Sequence, residues 1–190
     1  MTQVQKQSVK EKIYEAALDI FYEKGYKDTT MREIAEKAEI PVGLIYTYFK
    51  NKADLFDYIV APVLHYVEKS LLSNTLPDKS PLDKLAESFE EDRRMLVQLM
   101  NSRKEMVIAI DKSAGTKYEN TKDTVISMVQ THINRERRKI VSNYEDFHGA
   151  ILATCFVESI MAVARNYQDK DWARRMVVYI SDLLFPAAAC

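Results

Sequence analysis

The chain has 190 residues, a formal net charge of −1 and 47% hydrophobic residues, enough for one or two compact units with a real core. The near-zero charge excludes a protein coated in nucleic acid over its whole surface, but not a small local DNA site. Four glycines and five prolines, beside abundant Leu, Ala, Glu, Lys and Met, favour helix almost throughout.

Helix starts recur through one device, a capping residue followed three positions later by an acid. Ser8 with Glu11 predicts helix 1, whose Val9, Ile13, Ala16, Ala17, Ile20 and Phe21 keep helical spacing, and Gly25 supplies its left-handed stop. Thr30 with Glu33 predicts a short helix 2 carrying Ile34, Ala35 and Ala38 on one face. Pro41 sets the entry to helix 3, where its missing N–H would be unpaired anyway. Ile45 and Phe49, four residues apart, share a face of that helix that can be buried. Val42, Gly43, Leu44, Tyr46, Thr47 and Tyr48 are left around the front. Two short helices joined by a tight turn, the second presenting its N-terminal half outward, make a helix-turn-helix.

Asn51 with Asp54 predicts helix 4, running through Leu55, Ile59, Val63, Val67 and Leu71 to about Leu72, with a kink at Pro62. SNTLPDKS is a linker. Ser80, Pro81 and Asp83 then start helix 5, which carries Leu82, Leu85, Phe89, Leu96, Leu99 and Met100. Helix 6 covers about Lys104 to Ile110, and DKSAG turns the chain. Thr116 with Glu119 predicts helix 7, with Val125, Met128, Val129, His132 and Ile133 on its apolar side. Asn143 with Asp146 predicts helix 8, reaching about Tyr167. The last helix starts near Asp169 or Asp171 and ends before Pro186. The expected architecture is all-α: a three-helix head at residues 1–52 and a body of six helices at 53–190.

The pattern Phe21-x-x-x-Gly25-Tyr26-x-x-Thr29-Thr30, then Ile34-Ala35, Ala38, Gly43, Tyr46-x-Tyr48-Phe49, and Lys52 followed by Leu55 resembles the TetR family of bacterial transcriptional repressors. The resemblance covers Ser8 to Phe56 and beyond that rests on length and helical character. It implies a homodimeric DNA-binding regulator whose body binds a small-molecule inducer of unstated identity. It also implies backbone contacts to DNA at Thr29 or Thr30, Tyr46, Tyr48 and Lys52. The starts of helices 2 and 4 suit phosphates independently, because free N–H groups and the positive dipole end lie there. Arg32, in the first turn of helix 2, joins this group.

Base reading falls to Pro41, Val42, Leu44 and Thr47, with Gly43 beside them in the DNA-binding set. Apolar side chains can meet thymine methyl groups but make no bidentate bond to guanine or adenine. The expectation is an AT-leaning operator, with Thr47 as the hydrogen-bonding reader. Residues 1–52 hold nine Lys/Arg against eight Asp/Glu, so affinity must come from placed contacts more than from bulk charge.

In the body, Tyr66, Met95, Leu99, Arg103, Met106, Ile110, Tyr118, Met128, His132, Phe156 and Glu158 could line a cavity for an apolar ligand. Each apolar member taken singly is ordinary core, and His132 and Glu158 need polar partners from protein or ligand. Helices 8 and 9 are apolar over more than one face. Ile151, Leu152, Cys155, Ser159, Ile160 and Val163, with Trp172, Met176, Val177, Ile180 and Leu184, exceed one packed face and point to a four-helix dimer interface. The competing reading encloses helix 8 within its own chain.

Cys155, within ILATCFVESIMAVA, is expected to be buried, and Cys190 to be a terminal thiol outside any disulfide framework. The basic run at Arg135, Arg137, Arg138 and Lys139 suits a solvated helix end. His65, His132 and His148 lack companions at metal-ligand spacing, and no catalytic motif or cofactor signature appears. The N-terminus is polar and no run reaches the ~18–20 apolar residues of a membrane helix, so a soluble cytoplasmic protein without a membrane partner is expected. Two rivals stand beside the regulator: a helical adaptor that has lost DNA binding, and a small all-α enzyme.

Overall fold

A computed structural model describes residues 3–72, 93–138 and 143–185. Among them there are helices and turns and no strand. The helices are α1 (Gln3–Lys24), α2 (Met31–Lys37), α3 (Val42–Ile45), α4 (Lys52–Leu72), α5 (helical at 93–99), α6 (Arg103–Asp111), α7 (Thr121–Arg137), α8 (Asp146–Arg165) and α9 (Lys170–Leu184), with a 3-10 turn at Met100–Ser102 before α6. The expected linker at 73–80, the start of helix 5 at Ser80, Pro81 and Asp83, and Leu82, Leu85, Phe89, Lys139 and Cys190 lie outside the described residues.

The chain forms two compact units, Met1–Leu64 with Lys104–Thr121, and His65–Arg103 with Lys122–Cys190. The chain passes between them at three points, after Leu64, Arg103 and Thr121.

The first unit closes on an apolar core. Ile13, Ala17 and Phe21 of α1, Ile34 of α2, Ile45 of α3, Leu55, Phe56 and Val60 of α4, and Ile108 of α6 are all fully or almost fully buried. Phe21, Tyr26 and Phe56 pack edge-on or stacked with ring centroids 5.0–6.2 Å apart. Polar ties hold the segment 104–121 to the same core. Lys104 donates to Asp19 at 2.7 Å, Tyr14 to Glu105 at 2.6 Å, and the Tyr26 N–H to the Lys112 carbonyl at 2.9 Å. Asp57 accepts from both Lys117 and Tyr118. Burial, with Glu105 beside it, pushes the Tyr14 hydroxyl up, and the Lys117 ammonium and Tyr118 hydroxyl hold the Asp57 carboxyl down.

Three helix starts differ from expectation. α1 begins at Gln3 rather than Ser8, because the preceding Gln and Lys residues are themselves good helix formers. α7 begins at Thr121. Thr116 and Glu119 build a turn instead, in which the Tyr118 N–H donates to Thr116 Oγ1 at 3.0 Å and the Gly115 N–H to Glu119 Oε2 at 3.3 Å. The same residue types that cap helices also close Ser/Thr turns. α8 is preceded by Glu145, not Asn143, at its N-cap.

In the second unit, α8 is apolar and long enough to cross a membrane by length and composition alone. It passes that measure although Glu158 interrupts its apolar run, ion-paired to Lys122 and to Arg165. Cys155 is exposed rather than buried, because α8 turns Gly149, Ala153, Val157, Ile160 and Ala164 inward and leaves Cys155 on the other face.

Candidate nucleic-acid interface

The site is built around α2 and α3. Thr30 is the N-cap of α2. Its Oγ1 accepts from the Glu33 N–H at 3.2 Å, and Glu33 Oε2 accepts from the Thr30 N–H at 2.8 Å and the Thr30 hydroxyl at 2.9 Å, closing the capping box. Lys24 adds an ion pair to Glu33 at 2.6 Å. That ammonium first, then the Thr30 N–H and hydroxyl, hold the Glu33 carboxyl down at about 2.

α2 ends in a Schellman motif. The Ile40 N–H donates to the Ala35 carbonyl at 3.0 Å and the Glu39 N–H to the Glu36 carbonyl at 3.2 Å. Glu39 occupies the left-handed position at φ 56°. This turn, with Ile40 packed against the core, aims the chain into α3.

α3 is α-helical only over Val42–Ile45, and residues 46–48 continue as turns. Thr47 and Tyr48 donate their N–H groups to Leu44 and Ile45 at 3.1 and 2.9 Å, three residues back. Aromatic and β-branched side chains at 46–48 are weak helix formers, and the Thr47 hydroxyl also takes the Leu44 carbonyl, at 2.8 Å. Buried Ile45 and Phe49 anchor the element. Pro41, Val42, Gly43, Tyr46 and Thr47 are exposed, Leu44 and Tyr48 half-buried. A Cβ at Gly43 would meet nothing within 4 Å, so the backbone there is open to close approach.

Two expected DNA contacts are otherwise engaged. Thr29 is buried, and its hydroxyl donates to the Gly25 carbonyl at 2.7 Å; its side chain braces the α1–α2 turn instead of facing solvent. Lys52 Nζ donates to the carbonyls of Tyr26 at 2.6 Å, Thr29 at 2.7 Å and Lys27 at 3.4 Å, and lies 4.3 Å from the Tyr26 ring centre. Arg32 is exposed and paired to Glu36 one turn on, at 2.9 Å. Asn51 and Asp54 cap α4 as their spacing predicts. Asn51 Oδ1 accepts from the Asp54 N–H at 2.8 Å, and Asp54 Oδ2 accepts from the Lys50 N–H at 3.0 Å.

The polar residues expected to face a ligand all have protein partners. Tyr118 and Met106 fall in the first unit, and Tyr118 donates to Asp57. Within the second unit, Tyr66 donates to Gln98 at 3.1 Å, Arg103 stacks over the Tyr167 ring at 3.9 Å, and Arg135 donates to His132 Nδ1 at 3.0 Å. Glu158 is held by Lys122 and Arg165. Phe156 packs on Phe185 at 5.3 Å, Leu99 is buried, and Met95 and Met128 are half-buried. The basic run is engaged too: Arg135 reaches the Leu71 carbonyl at 3.2 Å, and Arg138 makes two 2.6 Å bonds to Asp146. Among the described residues no group of His, Cys, Asp and Glu could hold a metal ion.

On α8 and α9 the exposed large apolar residues are Phe147, Ile151, Tyr179 and Leu183. Phe147, Ile151 and Cys155 recur every four residues on one stripe. Val163, expected at a dimer face, is instead in the chain's own core. Ser159, Trp172, Met176, Ile180 and Leu184 are half-buried. Phe147 of α8 and Tyr179 and Leu183 of α9 are not among the expected residues, since apolar residues at adjacent positions leave a helix's outer face undecided.

The family model described as bacterial regulatory proteins, tetR family, matches residues 13–59, the span of this capped, turn-linked pair and its supports. The chain is 30% identical over 103 residues to the probable HTH-type transcriptional regulator YttP of Bacillus subtilis (strain 168), the match spanning about half of each, 50% and 50%. It is 29% identical over 160 residues to the biofilm operon icaADBC HTH-type negative transcriptional regulator IcaR of Staphylococcus aureus (strain Newman), across 80% of this chain and 81% of that one. Among solved structures, a SmeT–triclosan complex shares the fold at a TM-score of 0.60 and 22% identity, covering 95% of this chain and 91% of that one.

Proposed function

Because the chain belongs to the TetR family of bacterial transcriptional regulators, we propose that it is a ligand-responsive repressor that binds a near-palindromic DNA operator as a homodimer. Residues 1–52 make the DNA contact, and residues 53–190 bind the ligand and the second copy. The observation that supports this most directly is the division of α3. Ile45 is buried while Val42, Gly43 and Tyr46 stand exposed, which is how a short probe helix is presented to a major groove.

Tyr46, Tyr48 and the exposed Thr30 and Arg32 border that face and supply backbone contacts. Val42 and Leu44 favour thymine methyl groups, so the half-sites lean to AT, about 34–36 Å or a multiple apart. The exposed stripes of α8 and α9 form the dimer face. A small apolar inducer, of the kind the SmeT–triclosan neighbour suggests, acts by binding unequally to two states of the dimer.

Selection of bound duplexes from a random library tests the reading. Enrichment of twofold, AT-leaning half-sites whose affinity falls steeply with salt is the expected result. Recovery of no sequence, or salt-indifferent retention, favours a protein-docking module. Mass spectrometry of molecules retained by the purified protein identifies the inducer.

A further inference from the structure

At the junction of α3 and α4 two lysines stand two residues apart, and their surroundings differ. Lys50 follows the buried anchor Phe49, is exposed, and has its backbone N–H fixed by Asp54 at 3.0 Å. It makes no ion pair among the described residues. Lys52 is half-buried, and its three ammonium protons have three carbonyl acceptors, Tyr26, Thr29 and Lys27, at 2.6, 2.7 and 3.4 Å. An ammonium has three donors and no more, so a phosphate oxygen could reach Lys52 only by displacing one of those carbonyls.

We infer that Lys52 is a positioning residue that fixes the α1–α2 turn to the start of α4, and that Lys50 is the lysine of this junction that meets a DNA phosphate. The inference rests on the proposed DNA contact of the head. The three carbonyls belong to the turn that delivers Thr30, the N-cap of α2, and Thr29 ties the same turn back to the Gly25 carbonyl. Lys52 thus bridges 23 to 26 residues of sequence to hold the turn. Released, the turn lets α2 and the α3 it carries drift from the geometry a duplex requires, while the number of phosphate contacts is unchanged.

Salt dependence separates the two roles, because each phosphate neutralised adds about 0.9 to the slope of log affinity against log salt. Lys50→Gln, present in both heads of a dimer, lowers the slope by about 1.8. Lys52→Gln lowers affinity roughly tenfold or more at fixed salt and leaves the slope where it was. Lys52→Arg keeps the charge, yet its planar fork does not fit three converging carbonyls, so it fails to restore affinity. A slope that falls in Lys52→Gln, an affinity it leaves unchanged, full rescue by Lys52→Arg, or a slope unaltered in Lys50→Gln each overturns the inference.

A DNA-free measurement decides the clamp alone. When the intact protein is treated with acetic anhydride and its lysines are compared by mass spectrometry, Lys50 acetylates quickly and Lys52 is protected. Equal rates overturn the clamp whatever the protein does with DNA. Absence of any salt-dependent binding by the unaltered protein would instead count against the DNA reading of the head and, with it, the phosphate role of Lys50.

Discussion

Gly149 of α8 faces Asn134 of α7 so closely that a Cβ there would lie 1.7 Å from Asn134 Oδ1 and 2.8 Å from the Tyr144 hydroxyl. Asn134 is buried, and its Oδ1 accepts from Tyr144 at 3.1 Å. A methyl at 149 must therefore displace a buried, bonded amide. Gly149→Ala is expected to destabilise the protein by about 1–3 kcal/mol, the usual range for overpacking. Adding Asn134→Ala removes the obstruction, so the pair of changes costs less than the sum of the two alone. Thermal unfolding of the single and double variants checks this, and strict additivity would show that the close approach has no energetic weight.

Glu39 carries the left-handed turn that a glycine carries in most helix C-caps. Its φ of 56° costs an L-residue roughly 1–2 kcal/mol, against about 0.5–1 kcal/mol of backbone entropy that a glycine would lose. Glu39→Gly should stabilise the head by up to about 1 kcal/mol, seen as a rise of a few degrees in Tm. A fall in Tm would mean that the exposed carboxylate makes a compensating interaction.

Local devices were the legible part of this chain. The Thr30–Glu33 box, the Gly25 stop at φ 81° and the Asn51 cap each lie within a few residues and have side-chain signatures. The role of Lys52 was not legible, because its partners are backbone carbonyls more than twenty residues upstream, and carbonyls leave no mark in sequence. Thr116 and Glu119 misled for the opposite reason: their spacing serves a turn as readily as a helix start. Val163 turns inward and Cys155 outward, a difference their sequence does not decide because helix 8 is apolar on most sides. Helical spacing then says which residues share a face, not which face turns inward.

Acid should weaken the start of α2. The folded Glu33 carboxyl titrates at about 2, well below its ordinary value of 4.5. A lowered folded value contributes stability that is fully present above the unfolded value and is lost as pH falls toward the folded one. The Tm advantage of the unaltered protein over Glu33→Gln should therefore be largest above pH ~5, shrink steadily as pH falls through ~2, and vanish only below that. Glu33 is solvent-accessible, so added salt should reduce its ion pair with Lys24. An advantage that is constant across this window would remove the carboxylate from the account.

The second-unit surface separates association from folding. Ile151 and Leu183 are exposed, 48% and 64%, on the stripes proposed as a dimer face, whereas Val163 is 5% exposed within the chain's own core. A carboxylate at an exposed position adds little cost to the isolated chain, but it desolvates when two apolar faces meet. Ile151→Glu and Leu183→Glu should yield folded monomers by sedimentation, with Tm lowered only by the lost mass-action term, and should lose twofold operator binding together with the dimer. Val163→Ala should behave in the reverse way, losing roughly 1–3 kcal/mol of stability to the cavity left behind while remaining dimeric below its melting temperature. Dimers that survive both glutamate changes would move the interface off these stripes.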